Sequence, residues 1–226
     1  AESERLSSRL SDLAGLRSGH VNIGCSQALT PYFLPEQIAR YQAEHPSVTF
    51  DVQVMEHSEA AAALDAFVVD VVLVCDEKPA PDYDVHLAVP QRLVAIMARD
   101  HPLAGWSPLR LRDCYAYPVA LASTGFSGRR LLEQATGGKT YRRAPTLESN
   151  SFEYLKAFVA ETDAITFQVQ IGAPDCPAQD AIVSRALDPR DVPDGMLVLG
   201  LKRSRALPIA VSRFVEQLAL GLSKRF

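Results

Sequence analysis

Residues 21–54, VNIGCSQALTPYFLPEQIARYQAEHPSVTFDVQV, decide the fold. Val21, Ile23 and Cys25 recur at every second position, the period of a strand. A polar loop follows, and then Leu34, Ile38 and Tyr41 share one face of a helix expected over about 32–44. After His45-Pro46, the apolar Val48, Phe50, Val52 and Val54 alternate with Thr49, Asp51 and Gln53, which predicts a strand with one buried and one less buried face. Strand, helix and strand in that order form one unit of a parallel sheet. The loop is longer than a plain turn needs. Thr30-Pro31 reads as an N-cap followed by proline at the first helical position. Pro35 then removes at most one early hydrogen bond, or the regular helix starts a turn later. In either case first-turn N–H groups, with the Ser26 and Thr30 hydroxyls, suit a carboxylate, or they serve only to cap the helix.

The pattern continues through a polar junction, Glu56-His57-Ser58-Glu59, and an alanine-rich helix reaching Leu64. After Asp70 comes the unbroken apolar run Val71–Val74, suited to a central parallel strand covered on both faces. The same β-α-β-α-β order returns downstream. Residues 117–122 read as a strand, STGFSG (123–128) as a loop and 129–135 as a helix. Residues 141–147 read as a second strand. Glu148-Ser149-Asn150-Ser151 then opens a helix with Phe152, Leu155, Phe158 and Val159 on one face, and 164–167 closes the half as a strand. The apolar runs 93–103 and 195–201 are expected to carry the chain between the halves twice. A closing helix over 208–222 is expected to return to the first half, with Lys224 and Arg225 at its negative end.

The expected class is therefore α/β: two Rossmann-like α/β subdomains joined by two crossover strands, with a ligand cleft between them. Subdomain I is read as residues 19–95 with 196–226, subdomain II as 96–195, and residues 1–18 as the end of an amphipathic helix carrying Leu6, Leu10 and Leu13. Loops that follow the strands of such sheets hold small polar ligands. Those loops are Cys25 to Thr30, Glu56 to Ser58, Ser123 to Ser127 and Ser149 to Ser151.

Composition narrows the function. The chain has 226 residues, 47% of them hydrophobic, and a formal net charge of −4, which argues against a nucleic-acid surface on this segment. The four cysteines are widely spaced, with no zinc-type pairing with histidine, so neither a metal nor another cofactor is expected. Widely spaced thiols suit a reducing cytoplasm. No run approaches the roughly 20 apolar residues of a membrane span and no secretion signal is visible, so neither a membrane partner nor export is expected. An enzyme built on Cys25 with His20 or His57 would need a lowered thiol pKa and an oriented third group.

Taken in order and spacing, SGHVNIG, PYFLPEQIARYQAEHPSVTFDV, VVDVVLV, RLVAIMARDHPLA and SGRRLLEQA resemble the effector-binding domain of LysR-type transcriptional regulators. The resemblance runs from about Leu16 to the C-terminus, and the first 16 residues resemble the end of that family's dimerising linker helix. It implies a periplasmic-binding-protein-like fold holding a small-molecule effector, and no catalysis. It implies DNA contact only through an N-terminal winged helix-turn-helix that is not part of this sequence, and a homodimer or tetramer for the full-length protein. By the same resemblance the effector contacts fall on Ser26, Gln27, Ala28 and Thr30, then on His57 and Ser58, then on Asp76 beside Cys75. In the second half they fall on Ser123, Thr124, Phe126, Ser149, Asn150 and Phe167. A stand-alone solute-binding protein of the same fold is the alternative reading. Arg129 and Arg130, early in a helix, read as solvated surface charges or as an anion contact.

Overall fold

Strand β1 (Gly19–Cys25) lies between β2 (Val48–Val54) and β3 (Val71–Asp76), parallel to both. This is the arrangement the opening stretch predicts. The structure, a computed structural model, describes residues 19–76, 83–174, 181–204 and 206–226. The helix expected over residues 1–18 and Cys176 lie outside them. The described chain forms two compact units, one from residues 19–74, 83–89, 197–204 and 206–226, the other from 75–76, 90–174 and 181–196.

The first unit has a five-stranded sheet in the order β2-β1-β3-β10-β4, with β4 at Asp84–Gln91 and β10 at Gly195–Leu201. Its helices are α1 (Phe33–Glu44), α2 (His57–Asp65) and the C-terminal Ile209–Arg225. Val21, Ile23 and Val71 to Val74 are fully buried, as the alternating and continuous apolar patterns require. The C-terminal helix belongs to this unit. Tyr41 donates from its hydroxyl to the Ala210 carbonyl at 3.1 Å, and its ring meets Phe214 edge-on at 5.2 Å. Phe214 in turn packs on Phe50 at 4.9 Å. At the far side of β1, Asp70 accepts from both the backbone and side-chain amides of Asn22 at 3.0 Å, which ties the entrance of β3 to β1.

Strand β2 departs from the expected two-faced burial. Val48 is buried and Phe50 is held in the aromatic cluster, but Val52 and Val54 are 39% and 52% exposed. β2 is the edge strand, and the Tyr41–Phe50–Phe214 cluster covers only its first half.

The second unit contains a three-stranded antiparallel sheet, β8-β5-β9, with β5 at Leu93–Ala98, β8 at Thr166–Val169 and β9 at Ile182–Ala186. A parallel pair, β6 (Ala120–Ala122) and β7 (Leu147–Ser149), joins it through the Val119–Ile165 bridge. Its helices are the single turn α3 (Leu111–Cys114), α4 (Ser127–Thr136) and α5 (Phe152–Ala160), and the C-terminal helix is accordingly α6. Two expectations change. The run 93–103 is no connector, because Leu93–Ala98 is the fully buried middle strand of this unit's sheet and the chain turns after it. Residues 141–146 are not a strand either. After Gly138, at φ +72°, the chain stays irregular until Thr146 donates to the Val119 carbonyl at 2.8 Å. Pro145 has no N–H to give a ladder.

Candidate functional site

In the first unit the chain leaves β1 through a single turn of 3₁₀ helix, Gln27–Leu29, and not directly into α1. Ser26 donates its N–H to the Leu73 carbonyl at 2.9 Å, and Met55 donates to the Cys25 carbonyl at 2.9 Å. The chain leaving β1 and the chain leaving β2 therefore meet at one sheet edge, beside β3. Gly24 permits this closeness, since a Cβ there would meet the Met55 sulfur at 2.6 Å. Ser26 and Ala28 are buried, while Gln27 and Thr30 are partly exposed.

Thr30 does not cap α1. It ends the 3₁₀ turn, and its hydroxyl donates to the Gln27 carbonyl at 2.8 Å. The helix begins at Phe33 with Tyr32 as its N-cap, which places Pro35 third in the first turn. Helical N–H groups have no intrahelical acceptor there, so the proline costs no bond.

His57 opens α2 behind a reciprocal capping box in which Glu56 and Glu59 bond each other's backbone N–H, with Glu56 N–H to Glu59 Oε2 at 3.0 Å. One partner of the His57 ring is the Tyr83 hydroxyl, 3.4 Å from Nδ1. Ser58 is exposed. Asp76 is the last residue of β3, and its side chain lies outside the described residues.

In the second unit Ser123 donates its N–H to the Ser149 carbonyl at 3.0 Å, so the loops after β6 and β7 also come to one edge. Ser149 accepts from the Ser151 N–H at 3.1 Å, and Ser151 accepts from the Tyr154 N–H at 3.2 Å as the N-cap of α5. The SNS stretch thus caps its helix as its sequence predicts. Thr124 and Asn150 are exposed. Phe126 turns its ring edge-on to Phe152, 5.1 Å away, and packs against the core beneath α5. Phe167 is buried and stacks on Tyr115, 6.2 Å away.

The electrostatics of Cys25 oppose thiolate chemistry. Burial pushes its thiol up to about 12, so it stays protonated at neutral pH. The two histidines considered as its base are engaged elsewhere: His20 lies 2.7 Å from the Thr49 hydroxyl, and His57 faces Tyr83. Cys25 seals the end of β1.

Two clusters escaped sequence reading. Arg129 is not a solvated surface charge, since its side chain is only 6% exposed. It bonds Glu133 at 2.9 Å, Glu148 at 2.9 Å and the Ala122 carbonyl at 3.0 Å, and these carboxylates offset the unfavourable dipole at the start of α4. Arg110 grips Asp191 through two bonds of 2.8 and 2.7 Å, and Asp191 also accepts from the Leu111 N–H at 2.8 Å, fixing α3. The Arg110 guanidinium holds the Asp191 carboxyl below its usual range. The only sequence signal for the first was a cation at a helix start. For the second there was none, because the partners are far apart along the chain.

The fold and these loops define a class of two-unit α/β proteins whose polar loops gather at strand ends. Residues 14–222 match the family described as LysR substrate binding domain, and the chain belongs to it. An uncharacterized HTH-type transcriptional regulator, YvbU of Bacillus subtilis, is 22% identical over 202 residues, covering 89% of this chain and 67% of that protein. Several probable RuBisCO transcriptional regulators are matched over 56% or less of their length, so the chain spans about half to two thirds of the relatives it resembles. Among solved structures, HinK, a LysR family transcriptional regulator from Pseudomonas aeruginosa, aligns at a TM-score of 0.74 and 21% identity, covering 100% of this chain and 78% of that one. The Synechocystis PCC6803 CcmR regulatory domain, solved in complex with 2-PG, aligns at 0.74 and 18% identity, covering 90% and 97%. Among the described residues no helix is long and apolar enough to cross a membrane.

Proposed function

We propose that this chain is the ligand-sensing part of a LysR-type transcriptional regulator and binds a small organic anion. The regulator would meet DNA through a winged helix-turn-helix elsewhere in its chain, act as a homodimer or higher oligomer in the cytoplasm, and carry no catalytic function. The observation that carries this reading is the edge each unit builds at its strand ends. In the first unit that edge holds Ser26, Gln27, Ala28 and Thr30 with His57, Ser58 and Asp76. In the second it holds Ser123, Thr124 and Phe126 with Ser149 and Asn150. The hydroxyls and side-chain amides on both edges, with the His57 imidazole on the first, can donate to a carboxylate or phosphate. The backbone contacts of these loops are already fixed, so little ordering entropy opposes binding.

Family membership and the ligand carried by the CcmR regulatory domain support the reading. Phe126 and Phe167 enter it as packing residues behind the loops, since both rings have aromatic partners within their unit. A thermal-shift screen of small carboxylates, phosphates and amines tests it. Stabilisation by anions is expected. Stabilisation only by cationic or wholly apolar compounds would refute the anion assignment.

A further inference from the structure

Residues 142–145, expected as part of a strand, instead form one wall of a cavity of about 360 Å³ in the second unit. Its floor is apolar: Tyr115, Leu121 and Leu132 line it and are each nearly or fully buried. Its charged lining is Arg129, Arg142 and Arg143 against a single carboxylate, Glu133.

That carboxylate is already spent. Arg129 bonds it at 2.9 Å, and Arg142 shares it in a longer ion pair of 3.7 Å. Arg143 is exposed, and among the described residues no carboxylate pairs with it. The buried Arg129, held by Glu133, Glu148 and the Ala122 carbonyl, fixes the base of the cavity. Arg143, with Arg142 held only by its longer contact to the shared Glu133, presents guanidinium charge beside an apolar floor. That combination recognises an oxyanion attached to an apolar body, and the volume lies at the lower end of small-molecule pockets, roughly 300–1,000 Å³.

The cavity is separate from the loops considered above. It opens on the Leu121 side of β6, whereas Ala120 and Ala122 point into the core under α5 together with Phe126 and Phe152.

We propose that this cavity is a second ligand site, which binds a small organic oxyanion with its charged group on Arg142 and Arg143 and its apolar part on Tyr115, Leu121 and Leu132. Arg129 and Arg142 balance the charge of Glu133, so the net positive lining disfavours a cation. The site is independent of the effector loops and can be occupied alone.

The test is a ¹⁵N-resolved NMR titration of the chain with benzoate, with benzamidine as the charge-reversed shape match and with inorganic phosphate as an oxyanion lacking the apolar part. Benzoate is expected to shift the amides of Tyr115, Leu132 and residues 142–144, to bind more tightly than phosphate, and to lose about tenfold in affinity in the R142Q/R143Q double variant. Both side chains are at the surface, so the variant should melt at the parent temperature. A second variant, Ala144→Phe, should block the cavity while both arginines remain. The S26A and S123A variants should bind benzoate at this site unchanged. Benzamidine binding as tightly as benzoate, shifts confined to residues outside the cavity, or unaltered affinity in both R142Q/R143Q and A144F would overturn the proposal.

Discussion

Replacing Arg129 by alanine should destabilise the second unit and loosen the Ser123–Phe126 loop. The side chain is 6% exposed and makes three bonds of 2.9 to 3.0 Å, to Glu133, Glu148 and the Ala122 carbonyl. A buried charge-assisted hydrogen bond contributes about 1.5–3 kcal/mol. The two carboxylates are 34% and 46% exposed and regain water once the arginine is gone, so their share falls to the few tenths typical of solvated pairs. The carbonyl of Ala122 cannot rehydrate as easily, and the buried aliphatic stem leaves a void beneath α4. Together these give a loss of about 3 kcal/mol, or roughly 9 °C in a domain of this size. Urea unfolding followed by tryptophan fluorescence and circular dichroism measures it, and hydrogen exchange reads the local effect at Ser123 to Ser127. Arg129→Lys should recover part of the loss, since an ammonium reaches one carboxylate but not all three acceptors. A stability change below about 0.5 kcal/mol, the range of ordinary surface substitutions, would refute the reasoning.

Further outcomes follow from the same structure. Phe214→Ala should cost about 3–5 kcal/mol, read by urea unfolding, because the ring is fully buried against Tyr41 and Phe50. Native Cys25 should not react with a thiol reagent at pH 7, since burial keeps it protonated; Cys25→Ala should leave ligand affinity unchanged, and rapid labelling would contradict the burial. Burial lowers the pKa of His101, whose ring accepts from the Leu103 N–H and donates to the Asp163 carbonyl. The unfolded chain therefore binds more protons below its ordinary value near 6.5, so stability should be full above that pH and decline as the pH falls beneath it. His101→Gln should flatten this part of the pH–stability curve, and an unaltered curve would count against His101.

The parts of the fold that could be read in the sequence are those in which one strand or helix face repeats a local pattern. β1, α1 and β3 fall where Val21 to Val74 place them because period two and unbroken apolar runs fix both element and burial. The exposed half of β2 could not be read, since alternation reports which residues share a face but not whether a helix reaches it. β4 went unread although Val85, Leu87 and Val89 alternate, because Pro90 interrupts the pattern that would have continued into β5. The irregular 141–146 segment reads as a strand because the repeated β-α-β-α-β order calls for one there, and Pro145 with the lack of a neighbouring ladder decides against it. Of the site, the polar loops at strand ends were visible from composition. The partners of individual side chains were not. Thr30 bonds backward to Gln27, His57 pairs with Tyr83, and Arg129 is enclosed by a carboxylate from the next strand. The first follows from a 3₁₀ turn that the proline pattern hides, and the other two depend on contacts across the fold that no local pattern encodes.

The central claim, that polar loops at strand ends of this chain hold a small anion, is tested most directly by calorimetric titration. The anion that most stabilises the parent chain would be titrated into S26A and S123A. Removal of one hydrogen bond to a charged ligand should weaken binding by about tenfold or more in the variant whose loop makes the contact, at an unchanged melting temperature of the free protein. Parent affinity in both variants, with binding abolished instead by R142Q/R143Q, would contradict the claim and leave the arginine-lined cavity as the site that binds.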